Sequence, residues 1–349
     1  MATRVWHKPP SPPVGFAREL GFPPFQAHLL YNRGIRSRAE VGPYLSPDES
    51  LLNDPMLLPD MGRGVARLRK AMDSGESIGI FGDFDTDGIT GTAVLVRALR
   101  DLDAQVVPHI PHRVDEGHGL NAHAVGALRD SGVTLLITVD CGVTSPVEIQ
   151  LAATMGIDTI VTDHHALLGE TPEALALINP RREGSTYPYI DLTGVGLAFK
   201  LVQALYMRLG QEPPDGLLEL VALGTVADVG PLTGENRYFV NEGLARINES
   251  SNAGIRALAE VAGLKLGALD AASLSFGLIP RLNVAGRLGD AGTSLDLLTA
   301  ASRADAEPLA DELERKNNER QMMTTSGVKE ALHQVEIEER ALGQVPAIV

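Results

Sequence analysis

From Ser77 onward, short β-rich runs alternate with helical stretches: SIGIFGD, a helix from about Thr90 to Leu102, AQVVPHI, a helix over Ala122 to Asp130, TLLITVD, a helix over Ser145 to Met155, DTIVTD, and a short strand near ALALINP. This alternation predicts an α/β fold: a mostly parallel sheet with helices on both faces. In open sheets of that kind ligands bind beyond the carboxyl ends of the strands. The residues just after each strand are therefore the first place to look for chemistry.

The flanking segments read differently. Before Ser77, Pro9, Pro10, Pro12, Pro13, Pro23, Pro24, Pro43, Pro47 and Pro55 break the chain too often for long regular elements, which predicts an arm of short helices wrapped on the α/β domain. After Gly194 the β signal fades. GVGLAFKLVQALYMRL, LLELVALGTVADV and ENRYFVNEGLARINES read as helices, another helical stretch starts near Ala271, and the charged tail from Arg303 to Leu342 reads as one long helix. The closing VPAIV resembles the opening of a strand. The expected division is an arm over 1–70, the α/β domain over 71–230, a helical part of the core over 231–302, and a long connecting helix with the start of a further domain over 303–349. No internal repeat or low-complexity tract is present.

Composition narrows the chemistry. A single cysteine, Cys141, forbids an internal disulfide and a cysteine-based zinc cage, so any metal must be held by oxygen and imidazole. No window approaches the run of apolar residues that a membrane span needs, and MATRVWHKPPSPPVG lacks the apolar stretch of a secretory signal, so the expected location is cytoplasmic, with no membrane partner. A formal net charge of -15 argues against a broadly basic coat for duplex DNA, but not against a local basic strip.

Four motifs stand at element ends. In GDFDTDG, Asp83, Asp85 and Asp87 follow the first strand, and side chains two apart on extended chain point to one face. Carboxylates some 4 Å apart repel by roughly 4 kcal/mol at an effective dielectric of about 20, so the cluster needs cations or shared protons. An Asp-Gly turn is the plain alternative. In TVDCG, Asp140 ends an apolar strand, where a helix cap is the commoner role. In VTDHHA, Asp163, His164 and His165 follow a third strand, and the two adjacent imidazoles must point different ways. In GTVADVGPL, Asp228 follows a hydrophobic run. Singly each could be a cap or a turn; their recurrence at successive element ends argues for a metal centre.

In order and spacing these motifs resemble the DHH phosphoesterase superfamily, its name spelled at Asp163 to His165. Within it they are most similar to the RecJ branch, which also fits HRVDEGHGLN and PRLNVAGRL, over about Ile78 to Leu288. The small-substrate branches carry a histidine four residues before the first Asp of the DxD pair, where this chain has Phe81. The resemblance implies a two-metal 5′ to 3′ exonuclease on single-stranded DNA in repair and recombination, with a single-strand-binding protein and a helicase as partners. It implies two divalent cations, Mn2+ or Mg2+. Asp85 and Asp140 would hold one and Asp87, Asp140, His164 and Asp228 the other, with Asp140 bridging.

By the same resemblance Asp83 is a second-tier ligand or base, His165 faces the scissile phosphate, and Asp163 orients an imidazole. Arg113, Arg281, Asn283 and Arg287 contact substrate phosphates, Arg113 near the 5′ end, and His118 contacts a base where the family commonly has Tyr. RecJ-like enzymes continue into a second phosphate-binding domain and an OB-fold, and neither pattern precedes Val349, so the expectation is a catalytic core plus its connecting helix. The alternatives are a small-substrate DHH enzyme for oligoribonucleotides, cyclic dinucleotides or pyrophosphate, and a non-catalytic replication scaffold of the same fold.

Overall fold

The computed structural model describes residues 8–113 and 116–343. Three short helices open the chain: α1 (Phe16–Leu20), α2 (Pro24–Asn32) and α3 (Arg38–Leu45). They gather their own small core of Phe16, Leu20, Ala27, Leu30, Ile35 and Val41. The next helix is of another kind. In α4 (Met61–Asp73), Met61, Val65, Leu68 and Ala71 recur at helical spacing and are buried, and Gly64 packs its backbone close to Ile178 and Ala176.

The α/β unit then runs β1 (Ser77–Gly82), α5 (Thr86–Asp101), β2 (Val106–His109), α6 (Ala122–Asp130), β3 (Val133–Val139), α7 (Pro146–Thr154), β4 (Asp158–Thr162) and β5 (Ala176–Ile178). The five strands are all parallel in the order β2-β1-β3-β4-β5. Side chains alternate across the sheet with period two, save at an irregularity in β3 just after Val133. Ile78, Ile80, Leu135, Ile137, Val139, Ile160 and Ile178 face the large core with α4 and α5. Phe81, Val133, Leu136, Val161 and Leu177 face a smaller core with Val125 and Leu128 of α6 and Ile149 and Ala152 of α7. Helices thus cover both faces, as the alternating pattern predicts. The helix expected from Thr90 starts four residues earlier, at Thr86, because Asp85 caps it.

Helices make up the rest: α8 (Gly194–Leu209), α9 (Leu217–Ala227), α10 (Gly234–Asn248) and α11 (Ala253–Val261). α12 (Ala271–Ser273) continues through a π-helical turn (Leu274–Leu278) into α13 (Ile279–Leu288), followed by α14 (Gly292–Thr299) and α15 (Arg303–Leu342). α15 spans the 40 residues read as one helix, and Ala306, Ala310 and Leu313 seat its first turns in the core. Gln321 to Glu330 are exposed throughout. The strand expected at VPAIV lies outside the described residues. No helix among the described residues is long and apolar enough to cross a membrane.

Candidate metal centre

The strand order reverses between β1 and β3, so the crevice beyond their carboxyl ends is a topological switch point, the usual ligand site of an open α/β sheet. Asp83 prolongs β1, its amide donating to the Val139 carbonyl at 3.1 Å. Asp85 caps α5, its Oδ1 accepting the amides of Asp87 at 2.9 Å and Gly88 at 3.2 Å. The cap uses one oxygen of that carboxylate, so capping and metal binding are compatible roles. Asp87, in the first turn of α5, is 1% exposed. Its two oxygens accept the Gly194 amide at 2.7 Å and the Val195 amide at 2.9 Å. The amino end of α8, with its partial positive charge, therefore lies against a buried carboxylate.

Asp140 follows β3 in the left-handed region, φ 60, its amide donating to the Thr162 carbonyl at 2.9 Å. The turn continues through Gly142, φ 114, where a Cβ would meet Thr138 Oγ1 at 2.6 Å. β4 ends at Thr162 and delivers Asp163, His164 and His165. His164 Nε2 lies 3.0 Å from Asp140 Oδ1 and 3.9 Å from Asp87 Oδ2. Asp228 caps the carboxyl end of α9 and is half-buried.

These side chains form three overlapping groups whose ligand atoms lie within 4.8 Å of one another: Asp83, Asp85 and Asp140; Asp87, His164 and Asp228; and Asp140, His164 and His165. Asp140 belongs to the first and the third. Burial, then the charges of Asp140 and Asp228, push Asp87 well above the usual carboxylate range. Burial and the charges of Asp85, Asp163, Asp83 and Asp228 do the same to Asp140. Asp83 is pushed up to about 6 by burial and by Asp85. Asp140 Oδ1 and His164 Nε2 are buried and neither has a hydrogen-bond partner, although they are 3.0 Å apart. Neighbouring ligands of an octahedral ion bound at about 2.1 Å stand about 3 Å apart. The donor set and its spacing fit divalent cations with hard oxygen and imidazole ligands.

Around this cluster, Asp163 is committed to structure. Its Oδ2 accepts the Val143 amide at 3.0 Å, and its Oδ1 accepts the His165 amide at 3.0 Å and faces His165 Nδ1 at 2.8 Å. Burial would raise its proton affinity, but these bonds outweigh burial and hold it low. In return the bond from Asp163 raises the proton affinity of His165, whose side chain is 56% exposed.

The other predicted substrate residues divide. Asn283 Oδ1 accepts both the amide and the hydroxyl of Thr86 at 2.9 Å, locking α13 onto the turn that carries Asp85 and Asp87. Arg113 and His118 are exposed and converge on one ring: Arg113 Cζ is 5.1 Å from the centroid of Phe84, and the His118 ring meets it edge-on at 4.7 Å. Arg287 is exposed at the end of α13. Arg281 is engaged elsewhere, its Nε donating to Glu314 of α15 at 2.5 Å and its Nη1 to the Gly277 carbonyl at 2.7 Å. Its guanidinium ties α13 to α15 rather than standing with the carboxylates.

Sequence reasoning overlooked Phe84, the Gly194 and Val195 amides, and Gly224, where a Cβ would come within 2.9 Å of Asp87 Oδ1. One signal was available for the amides: Thr193 directly before an apolar run is a helix start, and helix starts attract anions.

Comparison with known proteins places this geometry. The profile of the DHH family, N-terminal domain, matches residues 77–225. The single-stranded-DNA-specific exonuclease RecJ of Bacillus subtilis is 38% identical over 331 residues, 95% of this chain and 41% of that protein. A crystal structure of exonuclease RecJ bound to manganese superposes with a TM-score of 0.74 at 40% identity, covering 81% of this chain and 71% of that one. RecJ of Thermus thermophilus in complex with Mn2+ gives a TM-score of 0.79 at 37% identity, over 93% of this chain and 47% of that one. The chain belongs to the RecJ branch of the DHH family. It spans between 41% and 58% of the length of the curated RecJ relatives that it matches.

Proposed function

We propose that this chain is the catalytic core of a two-metal phosphodiesterase that removes nucleotides from the 5′ end of single-stranded DNA, in DNA repair and recombination. The observation that carries the reading is Asp140, a buried carboxylate shared by two ligand groups, with an oxygen 3.0 Å from an unpartnered imidazole nitrogen. Asp85 and Asp140, with Asp83 beside them, would hold one cation; Asp87, Asp140, His164 and Asp228 would hold the other. Mn2+ or Mg2+ suits that set. When bound, such a pair supplies charge stabilisation for a phosphoryl group and a water ionised near neutral pH.

The chain's own residues do the rest. Asp163 fixes the His165 ring through Nδ1, which leaves Nε2 as the ring atom to face a phosphate oxygen. Arg113 and Arg287 supply guanidinium forks for backbone phosphates, and His118 an edge for a base. Asn283 acts through the Thr86 turn, and Arg281 through the seating of α13. The arm over 1–70, the α/β domain over 71–230, the helical part over 231–302 and the connecting segment over 303–349 are the units of this reading. A single-strand-binding protein and a helicase as partners, and a cytoplasmic location, belong to it as well.

The test is digestion of a labelled, 5′-phosphorylated single strand with added manganese, beside a blunt duplex and short oligoribonucleotides. The chain digests the single strand and spares the duplex, and His164→Ala and Asp228→Asn lose about a hundredfold or more of that activity. Preference for the short oligoribonucleotides, or variants as active as the parent, would sink the reading.

Gly194→Ala makes a sharper probe of the same centre. A Cβ at Gly194 would sit 2.5 Å from Asp140 Cβ and 2.6 Å from Asp140 Oδ1, so the carboxylate must move. Alanine favours a helix more than glycine does, so helix propensity pulls the other way. Activity should fall by about tenfold or more while stability changes by no more than about 1–3 kcal/mol. Manganese titration followed by melting temperature should show weaker metal stabilisation.

A further inference from the structure

We propose that Glu116 is a positioning residue for the 5′ end of the substrate, holding the connection between β2 and α6 so that Arg113 and His118 stay on Phe84. The inference rests on the reading above, in which Arg113 meets a phosphate near the 5′ end.

The side chain of Glu116 gathers three separate pieces of chain. One oxygen lies 3.0 Å from His109 Nε2, at the end of β2, and takes a longer bond, 3.3 Å, from Asn121 Nδ2. The other accepts the His112 amide at 2.9 Å. The Glu116 amide in turn donates to the His112 carbonyl at 2.8 Å. Two of these partners are anchored further. The His109 ring stacks on buried Phe81 of β1, centroids 5.4 Å apart and planes 16° from parallel, and Asn121 caps α6 by accepting the Ala124 amide at 2.8 Å. A strand end, a backbone turn and a helix cap therefore meet on one carboxylate.

Arg113 and His118, three residues before Glu116 and two after it, are both exposed side chains, yet both contact the ring of Phe84. Phe84 lies between Asp83 and Asp85 in the chain, so whatever fixes these two side chains against it fixes them beside the carboxylates. Gly117 and Gly119 have φ of 81 and 73, a backbone open to many other conformations once untethered. With Glu116 removed, the arrangement that binds the strand end becomes a minor population, and apparent affinity falls by that fraction. Glu116 makes no hydrogen bond to a carboxylate or imidazole ligand. Asp83 takes a bond from the Gly119 amide of this connection, while Asp85, Asp87 and Asp228 are held by the ends of α5, α8 and α9 and keep their arrangement.

The experiment uses the whole chain with Ca2+ in place of Mn2+, and anisotropy of a labelled single strand with either a 5′-phosphate or a 5′-hydroxyl. Glu116→Ala should weaken binding of the phosphorylated strand by about 10–30-fold and of the hydroxyl strand by under about threefold. Glu116→Gln, which keeps an acceptor for the His112 amide, should lose only about 2–5-fold. In turnover with manganese the alanine variant should raise KM and leave kcat within about threefold, with an unchanged manganese-induced melting shift. Hydrogen exchange should rise in peptides from 109–113 and 116–121.

Equal losses for both strands, a fall in kcat at constant KM, or unchanged hydrogen exchange would each overturn the proposal. If the parent binds strands in this graded way but does not cleave them, the nuclease reading fails and the positioning role stands.

Discussion

On the proposed function, replacing Asp140 with asparagine will abolish digestion of single strands and, in a chelator, will raise the melting temperature. The two effects share one cause. Asp140 is 4% exposed, and burial together with four neighbouring carboxylates disfavours its charge. Without cations the folded chain carries that repulsion; the unfolded chain does not. Asparagine removes one charge from the cluster and suits the left-handed backbone at φ 60, which alanine would strain. The gain in a chelator should be read as a higher melting temperature, since a carboxyl whose proton affinity rises on folding costs stability at pH values above its unfolded pKa.

With manganese the order reverses. A cation held at a hundred times its dissociation constant adds about 2.7 kcal/mol to the parent, and the variant, without that carboxylate, should forfeit most of that. Activity should drop by about a thousandfold or more, because even partners of a metal ligand cost 10–100-fold when lost. The decisive result is a crossing: the variant melts higher than the parent in chelator and lower in manganese. A variant that melts below the parent in both conditions would mean that Asp140 serves the fold, and the metal assignment would fall.

How far the sequence foretold this centre depends on the distance between partners. Asp85, Asp140 and His164 were legible because each stands within three residues of the end of a hydrophobic strand, and the sheet topology then brings those ends together without further information. The contact of Asp87 with the start of α8 was not, since its partners lie 107 and 108 residues away and are backbone amides, which leave no mark of residue type. Arg281 shows the converse. It lies in a motif that brings α13 to the site, but its guanidinium is taken up by Glu314, 33 residues on, and nothing local announces that pairing.

The same logic covers the fold. The proline-rich start concealed that its last helix, α4, belongs to the main core, because glycines at 62 and 64 dilute a pattern of Met61, Val65, Leu68 and Ala71 that is otherwise plainly amphipathic. The close seat of Gly64 on Ile178 is the reason a glycine stands there.

Besides ties such as Arg237 to the Tyr44 carbonyl and Asp60 to Leu177 and Arg182, the arm meets the core at a buried charge pair, and breaking that pair should cost considerable stability. Lys200 of α8 and Glu235 of α10 form an ion pair with both side chains fully buried. Lys200 Nζ also donates to the Asn53 carbonyl at 2.9 Å. Glu235 accepts the Asn53 amide at 3.1 Å, the Asn53 side chain at 3.0 Å and the Tyr187 hydroxyl at 2.6 Å. Burial pulls the proton affinity of Lys200 down, and Glu235 opposes it.

Glu235→Ala leaves a buried ammonium, an amide and a hydroxyl without their acceptor, and should destabilise the chain by about 3–5 kcal/mol in denaturant unfolding. Lys200→Met should cost a similar amount by stranding the carboxylate. Joined with Glu235→Gln it should cost clearly less than Lys200→Met and Glu235→Gln measured singly and added together, because neither charge is then left alone and the amide oxygen still serves Asn53. The consequence reaches the metal centre: the next residue, Asn236, donates to the Asp191 and Pro231 carbonyls at 2.7 and 3.2 Å and so braces the turn that follows Asp228. The single variants should therefore also weaken metal stabilisation, and the double variant should regain part of it. Strict additivity of the two changes would show that the pair is not coupled and that the arm is held by its other contacts instead.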